Sequence, residues 1–291
     1  MRRRVAQIVI LTCLLAGKPN IQAQDPGCLT RASSASDDGQ PSGPQISIAE
    51  VTFSGSIQLP ISEQDQIADS IRQRTYGKSL GGVTDDVAER VRAGWQNHGY
   101  FKVQVSGEER TLASSPTRRR IALSFHVDEG LQYSLDRITL KTHKLIRDVS
   151  EVRRLFPIND GDIFSREKIA TGLRNLSKAY GEMGYINFTS VPDTKFDDER
   201  ELISLDIDMD EGKQFYVSSV SVLGLDESAR QKVLMELLIK PGQIYNSRLW
   251  ELSLRKYGSM FSNCECRDSE RRLDEKTGTV ALTLDFRPCS D

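Results

Sequence analysis

Three groups of residues in this 291-residue chain could do chemistry by type and spacing. Cys264 and Cys266 form a Cys-x-Cys pair, with Cys289 downstream and Cys28 far upstream. Two such thiols could run disulfide exchange if one had a lowered pKa, which a helix N-terminus commonly supplies. The pattern from Phe261 to Arg267 reads as a strand and offers no helix start, so a thiol oxidoreductase centred on Cys264 and Cys266 is the secondary reading. The alternative is structural. Both cysteines share one face of a strand, and either could reach Cys289 beyond the adjacent strand. Cys28 would be free or pair with the other, and four cysteines allow three pairings.

Carboxylates form the second group: Asp128-Glu129-Gly130 and Asp210-Glu211-Gly212. A hard cation needs more oxygen ligands within one loop than either triplet supplies, so both read as solvated turns at strand ends, with no metal. The third group is Gly99-Tyr100 and Gly184-Tyr185, where glycine would end a helix in the left-handed conformation and tyrosine open a strand. His98, His126 and His143 sit at unrelated places, no nucleophile constellation forms, and no glycine-rich phosphate loop follows a strand. We therefore expect no catalytic residue, no cofactor and no small-molecule substrate.

The spacing of these groups says more than their chemistry. The Asp-Glu-Gly triplets lie 82 residues apart and the Gly-Tyr pairs 85 apart, in the same order. A period that long marks a repeated small domain. In the first copy, Ile46–Phe53 reads as a strand, Ile61–Gln73 as a helix, and Thr84–Asn97 as a second helix. Thr84 is its candidate N-cap, and Val87, Val91 and Trp95 form its apolar stripe. Tyr100–Val105 reads as a strand, 106–117 as a loop, and Ile121, Leu123, Phe125 and Val127 alternate as a half-buried strand. The second copy repeats the order: strand Leu135–Leu140, short helix Asp148–Phe156, a long helix capped by Ser165, then strands from Tyr185 to Val191 and through Ile203, Leu205, Ile207 and Met209. The third copy has a strand over Val217–Leu223, helices over Glu227–Ile239 and Asn246–Tyr257, and strands over Phe261–Arg267 and Val280–Phe286. Two amphipathic helices covering one face of a three-stranded sheet make a sufficient core for about 85 residues.

The front of the chain addresses the compartment. Arg2-Arg3-Arg4, the apolar run Val5–Ala16 and the small Ala23 have the layout of a secretory signal peptide over 1–23. Residues 24–45 are too polar to fold and read as a disordered leader. Loss of the first 23 residues takes four of 39 basic residues and leaves 35 against 41 acidic ones, a net charge near −6. That argues against nucleic acid as a partner. Arg118-Arg119-Arg120 reads as a solvated loop end.

The unit order, with Gly-Tyr opening the second strand and Asp-Glu-Gly closing the third, resembles the POTRA (polypeptide-transport-associated) domain. The turns at Asn159-Asp160-Gly161-Asp162 and Lys240-Pro241-Gly242-Gln243 fit as well. The third copy departs, with Gly258-Ser259-Met260-Phe261 and Asp285-Phe286-Arg287 at the two motif positions. The resemblance implies an α+β array of three β-α-α-β-β units over 46–131, 132–213 and 214–291, each a three-stranded mixed sheet covered by two helices. It implies the periplasmic half of an outer-membrane assembly or translocation machine, since nothing after Phe286 has the alternating segments of a barrel. Partners would then be unfolded or extended polypeptides and a separate outer-membrane β-barrel protein. The resemblance also places the second strand of each unit at a sheet edge, whose unpaired backbone could take a client strand. That edge is expected at Phe101, Val103 and Val105, and at Ile186 and Phe188, with Lys102, Gln104 and Asn187 outward. A passive envelope spacer is the remaining alternative.

Overall fold

The computed structural model describes residues 45–76, 82–141, 148–261 and 269–288. The signal and leader expected before Gln45, His143 and all the cysteines lie outside the described residues, so the thiol and disulfide readings lie outside them too. No described helix is long and apolar enough to cross a membrane.

The described chain builds three mixed sheets, each with its own apolar core. The first unit runs β1 (Gln45–Ser56), α1 (Ile61–Arg72), β2 (Thr75–Tyr76), α2 (Val83–Gln96), β3 (Gln104–Ser114) and β4 (Arg118–Asp128). The second runs β5 (Ser134–Lys141), α3 (Val149–Arg153), α4 (Arg166–Glu182), β6 (Thr189–Asp197) and β7 (Leu202–Asp210). The third runs β8 (Tyr216–Leu223), α5 (Glu227–Glu236), α6 (Ser247–Tyr257), β9 (Ser269–Asp274) and β10 (Thr279–Asp285). In each sheet the last strand lies in the middle, parallel to the first and antiparallel to the second. This is the expected α+β architecture with one addition: β2 pairs with β1 and makes the first sheet four-stranded.

The periodicities explain the cores. Val87, Val91 and Trp95 lie on one face of α2 and are fully buried against Ile121, Leu123, Phe125 and Val127 of β4. Burial of each such side chain stabilises the unit by about 1.5–3 kcal/mol. Ile203, Leu205, Ile207 and Met209 do the same in β7, and Val280, Leu282 and Leu284 in β10. Ser165 caps α4 by accepting from the Lys168 N–H, and Asn246 caps α6 through Leu249.

Several boundaries differ from expectation. Helix α2 starts at Val83 with Gly82 at the N-cap, so Thr84 lies inside the first turn and its hydroxyl sits 3.4 Å from Glu109 Oε2. The supposed loop 106–117 is mostly strand, because β3 runs from Gln104 to Ser114. Likewise β6 starts at Thr189, not Tyr185. Arg118–Arg120 open β4, where Arg119 pairs with Glu109 of β3. In the third unit, 262–268 lies outside the described residues, and the second strand that is described is β9.

Candidate functional site

The two edges of each sheet are treated differently. On the first-strand side the start of the strand is bonded every time. β2 pairs with β1. In the second unit, Leu135 N–H donates to the Asp162 carbonyl and Gly161 N–H to Leu135, at 2.9 and 2.7 Å. In the third, Val217 N–H donates to the Gln243 carbonyl and Gly242 N–H to Val217, at 2.8 and 2.7 Å. On the opposite side, β3, β6 and β9 have no strand beyond them among the described residues. An unpaired strand rim is a template for another extended chain.

Of the five residues expected on these rims, the structure puts Val105 on one, in β3. Val103 precedes the strand and is 4% exposed in the first core. Phe188 precedes β6 and stacks on Tyr180, ring centroids 4.0 Å apart. Phe101 and Ile186 pack against the core of the following unit. The physical reason is a tight turn. After Gly99 and Gly184 the chain makes Phe101 N–H to Gly99 and Val103 N–H to Tyr100 hydrogen bonds, or Phe188 N–H to Tyr185, before it can extend.

Those glycines belong to the junctions between units. Gly99 and Gly184 have φ of +88° and +89°. Their carbonyls accept from the N–H groups of Tyr133 and Phe215, each at 2.9 Å. The carbonyls of Tyr133 and Phe215 accept in turn from Phe164 and Tyr245, again at 2.9 Å. Gln132 and Gln214 side chains donate to the carbonyls of His98 and Met183, both at 2.9 Å. A Cβ on Gly99 would meet the Tyr133 carbonyl oxygen at 2.8 Å, so both conformation and space demand glycine. The first junction adds an aromatic and ionic clamp. Phe101 packs edge-on to Phe164 at 5.5 Å, and Lys102 Nζ lies 2.7 Å from Asp198 Oδ1, an oxygen that also accepts from the Tyr133 hydroxyl at 2.7 Å. These two bonds, the Lys102 one first, hold the Asp198 carboxyl below its usual pKa.

In the Asp-Glu-Gly triplets the glycines turn the chain and Asp128 and Asp210 face solvent as expected, but the glutamates do not. Glu129 is buried and accepts from Trp95 Nε1 at 2.7 Å, Leu59 N–H at 3.0 Å and Gln58 N–H at 2.5 Å. Glu211 is buried and accepts from the Tyr180 hydroxyl at 2.9 Å. Burial, then this carboxylate, pushes the Tyr180 pKa upward. Trp95 and Tyr180 each lie four residues before the junction glycine. In the third unit Phe286 takes the glutamate position and stacks on Phe261 at 4.9 Å, while Asp285 pairs with Arg287. The recurring aromatic-to-glutamate pairing was the signal that the triplets alone did not give.

Residues 133–212, the second unit, match the POTRA family, described as "Surface antigen variable number repeat". This unit is a POTRA domain. The three-domain crystal structure of Haemophilus influenzae BamA POTRA3-5 superposes on the chain with a TM-score of 0.61, at 22% identity, covering 86% of this chain and 99% of that one. The chain therefore has the fold of three POTRA domains in tandem. By sequence it is similar to the outer membrane protein assembly factor BamA of Buchnera aphidicola subsp. Acyrthosiphon pisum (strain APS), 21% identical over 165 residues, 56% of this chain. It is also similar to BamA of Neorickettsia risticii (strain Illinois), 20% identical over 194 residues, 67% of this chain. Each alignment takes in 26% of the relative, so the chain spans about a quarter of their length.

Proposed function

We propose that the chain is a periplasmic scaffold of outer-membrane protein assembly or translocation, with POTRA domains over 46–131, 132–213 and 214–291. It holds unfolded or extended polypeptides as added strands on its open sheet edges, beside a separate outer-membrane β-barrel protein. The role is binding, not catalysis, and needs no cofactor or nucleic acid. The names of the relatives support the setting. The observation that carries the binding mode is the edge asymmetry: the start of the first-strand rim is bonded in all three units, while no strand pairs beyond β3, β6 and β9 among the described residues.

Strand β3 is the best of the three rims. It is the longest, at 11 residues, and its regular ladder runs from Gln104 to Thr111 before a bulge. Strand β6 carries Pro192, and β9 has six residues. The test is a proline scan of Ser106, Glu108 and Glu109 with binding of an extended peptide as the readout. Alternate residues of an edge strand aim their N–H outward. Proline at that parity should weaken binding while the thermal midpoint holds, and proline at the other parity should break the β3–β4 ladder. Unchanged affinity throughout would favour the spacer reading, which the fully bonded junctions also suit.

A further inference from the structure

The two junctions share one backbone design but present different surfaces. At the second junction a groove of about 590 Å³ runs between the end of α4 and the loop that leads into α6. Its apolar lining is Met183, Tyr185, Leu238, Ile244 and Leu249. Met183, Leu238 and Ile244 are 45%, 59% and 43% exposed, and Met235, three residues before Leu238, is exposed as well. At the first junction the residues in the places of Met183, Leu238 and Leu249 are His98, Pro157 and Lys168. There His98 lies 3.2 Å from Glu63. Ile163, 50% exposed, keeps the place of Ile244, so the first junction is the more polar of the two and the fold does not require Met183, Leu238 or Leu249 to be apolar.

The groove offers side chains, not backbone. Gly242 and Tyr245 N–H groups are spent on Val217 and Phe215, the Gln243 carbonyl accepts from Val217, and the carbonyls of Glu182 and Met183 accept from Asn246 and Gln214. An added strand would find little to pair with, which leaves docking of an apolar side-chain stripe, the mode of an amphipathic helix. Charge selects further. Glu182 is the one charged side chain in the lining, and no salt bridge to it occurs among the described residues. We propose that this groove docks an amphipathic helix of a partner protein, its aliphatic stripe on Met183, Leu238 and Ile244 and a Lys or Arg at the stripe's border facing Glu182. Met183 gives the floor an adaptable surface. Because the lining comes from two units, the docked helix also braces the junction. This docking does not depend on strand addition at β3.

The probe is a labelled synthetic helix of Leu, Ala and Lys, with leucines at i, i+3, i+4 and i+7, titrated with the full chain by fluorescence anisotropy. Two variants report on the groove: Leu238→Ser, which changes an exposed side chain, and Met183→His, which brings in the residue the sister junction already accommodates. Each should weaken binding at least about tenfold, a loss readily resolved in Kd, with the thermal midpoint unchanged. Replacing the bordering Lys of the probe by Glu should weaken it too. Extended-peptide binding at β3 should not change in Leu238→Ser, which separates this result from the fate of the strand-addition reading. Equal affinity of the variants, no binding at probe concentrations up to about 1 mM, or indifference to Lys→Glu would overturn the proposal. So would uptake of the wild type by lipid vesicles that Leu238→Ser abolishes, since the occupant would then be a membrane.

Discussion

Trp95 Nε1 donates to Glu129 Oε1 across 2.7 Å inside the first core. The bond ties the last turn of α2 to the end of β4, and the other oxygen of the same carboxylate takes the Gln58 N–H in the segment between β1 and α1. Glu129→Ala would leave the buried Trp95 and Leu59 donors without an acceptor, at about 1–3 kcal/mol for each unsatisfied group, and would also free the part-buried Gln58 N–H. The expected outcome is a loss of about 3 kcal/mol or more in urea denaturation. Glu129→Gln keeps one carbonyl for Trp95 and should lose roughly half as much. A Glu129→Ala midpoint equal to wild type would show that the carboxylate is dispensable.

Asp206 on β7 gives the second unit an acid dependence. Lys141 and then Lys195 hydrogen-bond its Oδ2, at 2.7 and 2.5 Å, and hold its pKa down to about 2. An unfolded aspartate titrates near about 3.9. The folded value is the lower one, so the stabilisation is complete above about pH 4 and is lost as pH falls toward about 2. The urea midpoint of wild type should therefore drop more steeply across that window than that of Asp206→Asn, and the two curves should converge at the acid end. Parallel curves would refute the assignment.

Phe101 tests whether the residue after Gly-Tyr serves the junction or the edge. Its ring lies 5.5 Å from Phe164 and 5.3 Å from Phe196, both in the next unit. Phe101→Ala should loosen the first junction, seen as a broader distance distribution between spin labels on the two units, and cost about 3 kcal/mol of coupled stability. Lys102→Ala removes an exposed pair with Asp198 and should cost under about 1 kcal/mol, less still in high salt. Extended-peptide binding at β3 should survive both. Loss of that binding in Phe101→Ala with an intact junction would return the residue to the rim.

The cores were legible because one buried face imposes a period: Trp95 with Val91 and Val87, and Phe125 with its alternating neighbours. The open rims were not. The half-buried positions of β3 after Val105 are Gly107 and Glu109, so no apolar alternation marks it in the sequence, and its extended state comes from pairing to β4. Glu129 and Glu211 depart from the solvated turn expected of them because an acidic triplet beside a glycine has the composition of a turn. Only the distance from each to Trp95 or Tyr180 within the fold shows that the carboxylate turns inward. The junction role of Gly99 and Gly184 was hidden for the same reason, since its partners Tyr133 and Phe215 stand about 30 residues downstream in sequence.

Pro192 sits near the middle of β6, opposite Ile207 of β7. Proline inside an edge strand is accommodated where its nitrogen would have faced outward, so it deletes a donor from the open rim and no bond from the ladder. Val191 beside it is 65% exposed. A bare apolar rim with a full set of donors would pair with any extended chain, including a second copy of itself, and the proline blunts that pairing. Pro192→Val restores the donor. One added hydrogen bond of about 1 kcal/mol corresponds to about fivefold in affinity, so extended-peptide binding at the second unit should rise by about that factor. Amide-exchange protection of 189–197 on peptide addition would locate it, and sedimentation should show more self-association. If Pro192→Val binds no better, stays as monomeric as wild type and gains no protection along β6, this rim does not accept strands, and client binding has to be sought on β3 and β9.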